Sequence, residues 1–312
     1  MHLEGKAPDL AYLAVVVDEP EATARCFEKD FGLPRHSFRC GGSTIPVIPV
    51  GATAIALFGR DDPFLGPNPH QGLHHLALAA SDPEAAARAC CLPLAGDISK
   101  GLDGKAQIAL APAATCGVRV RFSEPLGLAP ARSDLVERVD HLGVASGDNR
   151  AARATFIEKL GCVYESEQTD SEVETIAENF TSDTHQTIFH TRPSRLLGSM
   201  RVTFITLGDC ELEFLQDLSA GVGADPARHD AADDTRADRS AIARHIATRG
   251  TGLHHIAFKT RDIDAALGRL AGAGYRLIDT AGRPGSRRAR IGFLHPAALG
   301  GVLAHFVERE EL

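Results

Sequence analysis

Three histidines and one glutamate occupy corresponding places in the apolar strands of the C-terminal half. His141 and His255 each begin a short apolar strand, and Glu213 and His305 lie in the strands that end the same two stretches. Imidazole nitrogens and carboxylate oxygens are donors that first-row divalent metals take from proteins. If the two stretches form one cupped sheet, the four side chains converge. The pattern then predicts a metal site made of His141, Glu213, His255 and His305.

Each histidine on its own has a simpler interpretation as a hydrogen-bonded residue of a strand. His254 illustrates the difficulty, because successive side chains of a strand point to opposite faces and only one of His254 and His255 can reach an interior site. The corresponding positions of the four candidate ligands favour the metal site over the simpler interpretation.

The elements that would position these residues recur four times along the chain. A short apolar strand begins near Tyr12, His75, His141 and His255, and each is followed by Ser or Asp and then an amphipathic helix. Such side chains cap helices because their oxygens accept hydrogen bonds from free backbone donors. Apolar strands end each unit. We therefore predict an α+β fold of four βαβββ modules that form two cupped sheets.

The four units pair off along the chain. Pro125, Gly127 and Pro130 lie between the second and third units, and residues of these types are common in linkers. We therefore predict an N-terminal domain over residues 1–124 and a C-terminal domain over residues 137–312.

The N-terminal pair of units lacks most of the candidate ligands. Its corresponding positions are Tyr12, Ala56, His75 and Arg121, of which only His75 is a common metal ligand. The N-terminal domain is therefore expected to have a degenerate metal site and to serve as a scaffold or a partner surface.

Several blocks of the C-terminal half resemble the vicinal oxygen chelate superfamily, which includes glyoxalases, bleomycin-resistance proteins, extradiol dioxygenases and methylmalonyl-CoA epimerase. The local similarity is greatest to the epimerase, from about Val139 to Glu308. The matching blocks lie at residues 139–145, 201–215, 242–258 and 283–303. The resemblance implies paired βαβββ modules that form a cupped sheet around one metal ion.

The resemblance also implies that His141, Glu213 and His255 hold a divalent ion, which could be Co, Zn, Mn, Ni or Fe(II). In the epimerase, a glutamate that binds the metal and can also transfer a proton stands where this sequence has His305. A second glutamate of the epimerase that transfers a proton matches about Val202. Both departures argue against the epimerase's own reaction. We expect a metal-dependent isomerase, epimerase or lyase that stabilises an enolate or enediolate of a small oxygen-chelating substrate, either a carboxylate or a keto compound. Glu213 and His305 are the expected catalytic residues.

Two other functions stay open. A degenerate first half followed by a metal-bearing second half resembles the extradiol dioxygenases, in which two histidines and a carboxylate hold Fe(II). A ring-cleaving or 2-oxo-acid dioxygenase is therefore one alternative. A ligand-binding or resistance protein without chemistry is the other, although ligand-capable residues at all four positions argue against it.

Two polar segments could shape a substrate pocket. The insertion at about residues 164–200 is a candidate lid or pocket wall, with a solvated loop as the simpler interpretation. Four arginines cluster near a turn at residues 283–290. Of these we predict that Arg288 and Arg290 bind a carboxylate or phosphate of the substrate, with surface charge as the simpler interpretation.

Composition limits the partners. The formal net charge is −8, from 33 Lys and Arg against 41 Asp and Glu, which argues against binding to nucleic acids or anionic membranes. No run approaches the ~20 apolar residues of a membrane-spanning helix, and the N-terminus lacks the pattern of a signal peptide. We expect a cytoplasmic protein with a small-molecule substrate, and a homodimer is compatible with the sequence.

Overall fold

The computed structural model describes residues 7–219 and 235–310. Its first half contains eight strands and two α-helices. These are β1 (Leu10–Val17), α1 (Pro20–Lys29), β2 (His36–Cys40), β3 (Ser43–Val50), β4 (Thr53–Gly59), β5 (Gly72–Ala79), α2 (Pro83–Cys90), β6 (Ser99–Lys100), β7 (Ala106–Ala109) and β8 (Val120–Ser123).

The second half repeats this order with an added hairpin and an added helix. Its elements are β9 (Arg138–Ala145), α3 (Asn149–Arg153), β10 (Val163–Glu174), β11 (Ala177–Ser182), β12 (Gln186–Thr191), β13 (Arg195–Leu207), β14 (Cys210–Asp217), α4 (Thr235–Arg249), β15 (Gly252–Lys259), α5 (Ile263–Gly272), β16 (Arg283–Pro284), β17 (Arg290–Leu294) and β18 (Ala304–Glu308). Helix α3 continues into a π-helical turn, Ala154–Lys159.

Both sheets are built on one plan. The strand order is β2-β3-β4-β1-β5-β8-β7-β6 in the first sheet and β10-β13-β14-β9-β15-β18-β17-β16 in the second. An antiparallel pair lies at the centre of each, β1 with β5 and β9 with β15. Parallel pairs flank it, β1 with β4, β5 with β8, β9 with β14 and β15 with β18. The predicted α+β fold of four βαβββ modules in two cupped sheets is confirmed.

Aspartate side chains cap three of the four helices that follow the first strand of a module. Asp82 accepts a hydrogen bond from the backbone N–H of Ala85, and Asp262 accepts one from that of Ala265. Asp148 accepts two, at the start of α3. Each cap satisfies backbone donors that the helix leaves free, which is worth about 1 kcal/mol.

One hydrophobic core joins the two halves. Phe27 and Phe31, from and just after α1, lie against Phe258 of β15 and Phe306 of β18, with ring centroids 5.9–6.1 Å apart. The two sheets fall on either side of the predicted linker, but these contacts bury them against each other. The division into two domains at residues 124–137 stays a prediction.

Strands occupy the insertion at residues 164–200. The 12-residue strand β10 pairs with β13 along its whole length, and β11 pairs with β12 as a separate hairpin. Within the described parts of the chain, no helix has the length and apolar character needed to cross a membrane.

Candidate metal centre

The four residues predicted as metal ligands lie together in the second sheet. One ring nitrogen from each of His141, His255 and His305 forms a group whose members are all within 4.8 Å of one another. Oε2 of Glu213 lies 3.3 Å from Nε2 of His141 and 3.4 Å from Nε2 of His255. All four side chains are buried. His141 and His255 therefore both direct Nε2 at the same oxygen of Glu213.

The register of the sheet explains why they meet. In the central pair of strands, His255 lies opposite Gly143, and His141 lies opposite Ala257. The flanking strands place Glu213 beside Gly143 and His305 beside Ala257. Four side chains from four adjacent strands thus project from the same patch of one face.

Gly143 makes room for this arrangement. A Cβ atom added at this residue would overlap the ring of His255. Its backbone is not left-handed, so the requirement is for space rather than for an unusual φ angle. The close approach of ring and backbone is what brings His255 next to Glu213.

A second carboxylate orients His141. Oδ2 of Asp140 lies 3.0 Å from Nδ1 of His141. Burial alone would raise the pKa of Asp140, but His141, Arg309 and Arg138 outweigh burial and hold the pKa well below its usual range. Because an ionised carboxylate can only accept, Nδ1 of His141 donates and Nε2 keeps its lone pair on the side of Glu213. Metal-binding histidines commonly have such a partner.

The protonation states of the cluster suit a cation. Burial raises the pKa of Glu213, but the nearby His141 and His255 outweigh burial and lower that pKa. Burial, together with the neighbouring His255 and His141, lowers the pKa of His305 well below its usual value. An ionised carboxylate and neutral imidazoles are the forms that bind metals.

The carboxylates around His141 favour positive charge at its ring. Burial lowers its pKa, but the carboxylates of Glu213 and Asp140 outweigh burial and raise it. Two other ring nitrogens, Nε2 of His255 and Nδ1 of His305, are buried and make no hydrogen bond within the described residues. An unpaired buried polar atom costs about 1–3 kcal/mol, and a bound cation relieves that cost. The donor set therefore fits a divalent metal.

The cluster opens onto a cavity of about 1000 Å³. Its walls mix apolar side chains with charged ones, and they come from the sheet, from α4 and from the turn before β17. The lining includes Met200, Phe204, Leu215, Ile242, Ile291, Phe293, Leu303 and Val307, with the charged residues Asp140, Asp170, Glu172, Glu213, Arg244, Arg283, Arg287 and Arg309. Residues 169–173 of the insertion are part of this lining, so the insertion contributes a wall.

The sequence of this region matches a known family model. Residues 140–293 match the model described as the glyoxalase/bleomycin resistance protein/dioxygenase superfamily. This part of the chain belongs to that superfamily. The resemblance noted in the sequence is thereby confirmed. The superfamily comprises metal-dependent epimerases, glyoxalases and dioxygenases.

The individual proteins that this chain resembles are distant from it in sequence. The uncharacterized protein YqjC of Bacillus subtilis is 24% identical over 173 residues, which are 55% of this chain and 93% of YqjC. A variant of 4-hydroxymandelate synthase from Streptomyces coelicolor is 14% identical, with a TM-score of 0.58, over 97% of this chain and 93% of its own. Methylmalonyl-CoA epimerase from Mycobacterium tuberculosis is 23% identical, with a TM-score of 0.39, over 58% of this chain and 93% of the epimerase. The synthase shares the fold along nearly the whole chain.

The two arginines predicted to bind substrate do not line the cavity next to the candidate ligands. Arg288 is exposed at a turn, and Arg290 pairs with Asp264 and Glu308 at 2.6 and 3.5 Å. Their neighbour Arg287 is in the lining instead, with its guanidinium 3.5 Å from the ring centre of Phe204. Arg287 and Arg288 both have positive φ, near 55–58°. That turn reverses the directions that simple alternation along a strand would assign.

Sequence reasoning missed several residues of the site. Asp140 precedes a predicted ligand, and an Asp-His pair of this kind is a detectable signal for an orienting carboxylate. His254 also lines the cavity, because a register irregularity between Leu253 and His255 breaks the alternation along β15. Nothing in the sequence alone brings Arg309 into the site, where it pairs with Asp140 at 3.1 Å.

Proposed function

We propose that the protein is a divalent-metal-dependent enzyme of the glyoxalase and epimerase type. It would act on a small carboxylate or keto substrate with two neighbouring oxygens and catalyse isomerisation, epimerisation or lyase chemistry by proton transfer next to a carbonyl. The convergence of His141, Glu213, His255 and His305 at a large cavity, with two unpartnered ring nitrogens, carries this proposal.

The four side chains would hold the metal, which could be Co, Zn, Mn, Ni or Fe(II). A divalent ion there supplies Lewis acidity, which stabilises negative charge that develops on substrate oxygens. Glu213 and His305 are proposed as catalytic because they would contact that ion next to the reacting atoms. The apolar side chains around them, such as Phe293 at 4.4 Å from the ring of His305, exclude water from the reacting centre.

The number of donors favours proton transfer over oxygen chemistry. Four protein donors would leave the ion one position fewer for substrate and O₂ than the two-histidine, one-carboxylate set of iron oxygenases leaves. His305 is the side chain that makes the difference, because without it the site would have three donors.

Metal analysis of anaerobically purified protein tests the proposal. We expect about one equivalent of Co, Zn, Mn, Ni or Fe per chain in the wild type, with most of it lost in His255→Ala. The matched control is His245→Ala, because His245 packs edge-to-face against His254 and is not one of the four proposed ligands. Wild-type protein that stays metal-free after reconstitution would favour a binding or resistance protein without chemistry.

A dioxygenase is the second candidate function. His141, His255 and Glu213 alone form a two-histidine, one-carboxylate set of the kind that holds Fe(II) in oxygenases. Stoichiometric iron that oxidises in air, together with O₂ consumption in the presence of a catechol or a 2-oxo acid, would favour this candidate over the first.

A further inference from the structure

The wall built by the insertion carries one carboxyl group that differs from the others in the cavity. Asp170 lies on β10 directly opposite Met200 of β13 in the antiparallel ladder. Paired residues of a ladder project to the same face, and both residues line the cavity. Asp170 therefore faces the space above the proposed metal ligands. Its strand, β10, is longer than the corresponding strand of the N-terminal half, β2.

The other three carboxylates of the lining have assigned partners. Glu213 lies among the histidines, Asp140 pairs with Arg309 and His141, and Glu172 pairs with Arg239 at 2.5 Å. Each of these three carboxylates therefore already has an arginine or histidine partner.

Asp170 has neutral hydrogen-bond donors instead. The amide of Gln168 donates to one oxygen at 2.5 Å, and the hydroxyl of Ser286 donates to the other at 3.3 Å. Burial raises the pKa of Asp170 and the charge of Glu213 adds to this, while the bonds from Gln168 and Ser286 oppose it. Asp170 thus keeps free lone pairs and is a stronger base than an ordinary aspartate.

The proposed chemistry requires such a group. Once His305 donates its lone pair to a cation, it cannot also accept a proton from carbon, and a proton on Glu213 would cancel the negative charge that holds the cation. Val202, which faces the same side, is apolar. Val202 of β13 lies opposite Gln168, the residue that positions Asp170. The carboxyl group of Asp170 therefore lies on β10, the strand next to that of Val202.

We propose that Asp170 is the catalytic base that removes the substrate proton and returns it, an inference that rests on the proposed function. In the forward step the C–H bond next to the carbonyl breaks and an O–H bond forms on Asp170. The electron pair moves to the carbonyl oxygen and gives an enolate. In the return step the O–H bond on Asp170 breaks and the proton goes to the neighbouring carbon of the enediolate, while the hydroxyl proton moves from one substrate oxygen to the other. The product is an isomer of the substrate, so no oxidant or reductant is consumed.

The position of Asp170 can be tested without knowing the substrate. Oxalate is a dianion with two neighbouring oxygens and mimics an enolate. When oxalate binds to Co(II)-reconstituted protein, its charge raises the proton affinity of a nearby carboxylate, so binding takes up a proton. We expect the dissociation constant for oxalate, followed in the cobalt visible spectrum, to rise about 10-fold per pH unit between pH 6 and 8.

The variant Asp170→Asn should remove most of this pH dependence and bind oxalate about 100-fold more tightly at pH 8, because like-charge repulsion is lost. Asp183→Asn is the matched control, since it makes the same chemical change at an exposed turn of the insertion. Calorimetry in two buffers of different ionisation enthalpy measures the proton uptake directly, and that uptake should vanish only in Asp170→Asn.

The outcomes separate the two proposals. Protein that does not bind Co(II) overturns the proposed function. Protein that binds Co(II) and oxalate, with the same proton uptake in Asp170→Asn as in the wild type, overturns the role of Asp170 and leaves the metal site standing. Protein that binds Co(II) and shows no response to oxalate overturns the placement of a substrate between the metal and Asp170.

Discussion

The two sheets of this protein present residues at the same four ladder positions, with opposite results. In the second sheet these are His141, Glu213, His255 and His305, and in the first they are Tyr12, Ala56, His75 and Arg121. The registers match pair by pair, since Tyr12 lies opposite Ala77 as His141 lies opposite Ala257, and His75 lies opposite Ala14 as His255 lies opposite Gly143. The backbone plan is thus shared, and the side chains decide what each half can do.

In the first sheet the four positions belong to a packed interior. The hydroxyl of Tyr12 lies 3.4 Å from Nε2 of His75 and 3.3 Å from Oε1 of Gln107. Arg121 lies 4.6 Å above the ring of Phe64, and apolar side chains fill the space that is a cavity in the second half. That this half has no metal site stays a prediction.

The electrostatic contrast follows from the carboxylates around His141. Burial, with the charge of Arg121, lowers the pKa of His75 well below its usual value, whereas the carboxylates around His141 raise the pKa of that residue. Ala56 stands where Glu213 stands in the second sheet, so the four equivalent positions of the first sheet include no carboxylate. A shared fold therefore does not imply a shared site.

The strongest test of the comparison gives the second sheet the residue of the first. Glu213→Ala should lower metal affinity by more than about 100-fold, because it removes the only carboxylate among the four donors and the negative charge that offsets the cation. Competition with a chelator measures this affinity. His75→Gln is the matched change in the first sheet, and a similar loss there would contradict the comparison.

The next test exchanges the residues beneath the two histidines. Gly143→Ala should displace the ring of His255, cost about 1–3 kcal/mol of folding stability and weaken metal binding. Ala14→Gly, at the equivalent position, should cost about 1 kcal/mol and leave metal content unchanged. Denaturant unfolding and metal analysis report the two effects. Full metal content in Gly143→Ala would contradict the role of the close approach.

A smaller effect is expected from the carboxylate behind the site. Asp140→Asn should lower metal affinity about 10- to 100-fold, because the amide no longer fixes the donor and acceptor sides of His141. The same chelator competition measures it, with Asp183→Asn as a control. An unchanged affinity would mean that His141 is oriented by packing alone.

The smallest effect concerns the first sheet and pH. Burial, with Arg119 and Arg121, lowers the pKa of His74 to about 3. A histidine that is less basic in the folded state than in the unfolded state, where its pKa is near 6.5, destabilises the fold as the pH drops below 6.5. For His74 this loss reaches about 2 kcal/mol at pH 5. Unfolding of His74→Gln at pH 7.5 and pH 5 should show a smaller drop than that of the wild type, and an equal drop would contradict it.

Much of the fold was predictable because periodic patterns encode it. Alternation of apolar residues assigns strands and faces, and the capping residues Asp82, Asp148 and Asp262 mark helix starts, as the structure confirms. The repeat also placed Glu213 and His305 in equivalent strands. Repetition constrains register, and register determines which side chains meet.

Local irregularities were not predictable in the same way. The break in register before His255 and the two left-handed residues at Arg287 and Arg288 each redirect side chains. Neither carries a sequence signal, since no glycine marks those positions. They are also why Arg287 rather than Arg288 or Arg290 lines the cavity.

The sequence by itself determined the modules, their order and the four candidate ligand positions, because these depend on short-range periodicity and on a repeat that can be read along the chain. Only the tertiary structure decided which charges face one another. The pairing of Arg309 with Asp140, the packing of Phe31 against the second sheet and the approach of Asp170 to the cavity join residues far apart in the chain. Such contacts depend on how two sheets curl and pack in space, and the order of residues along a strand does not specify this.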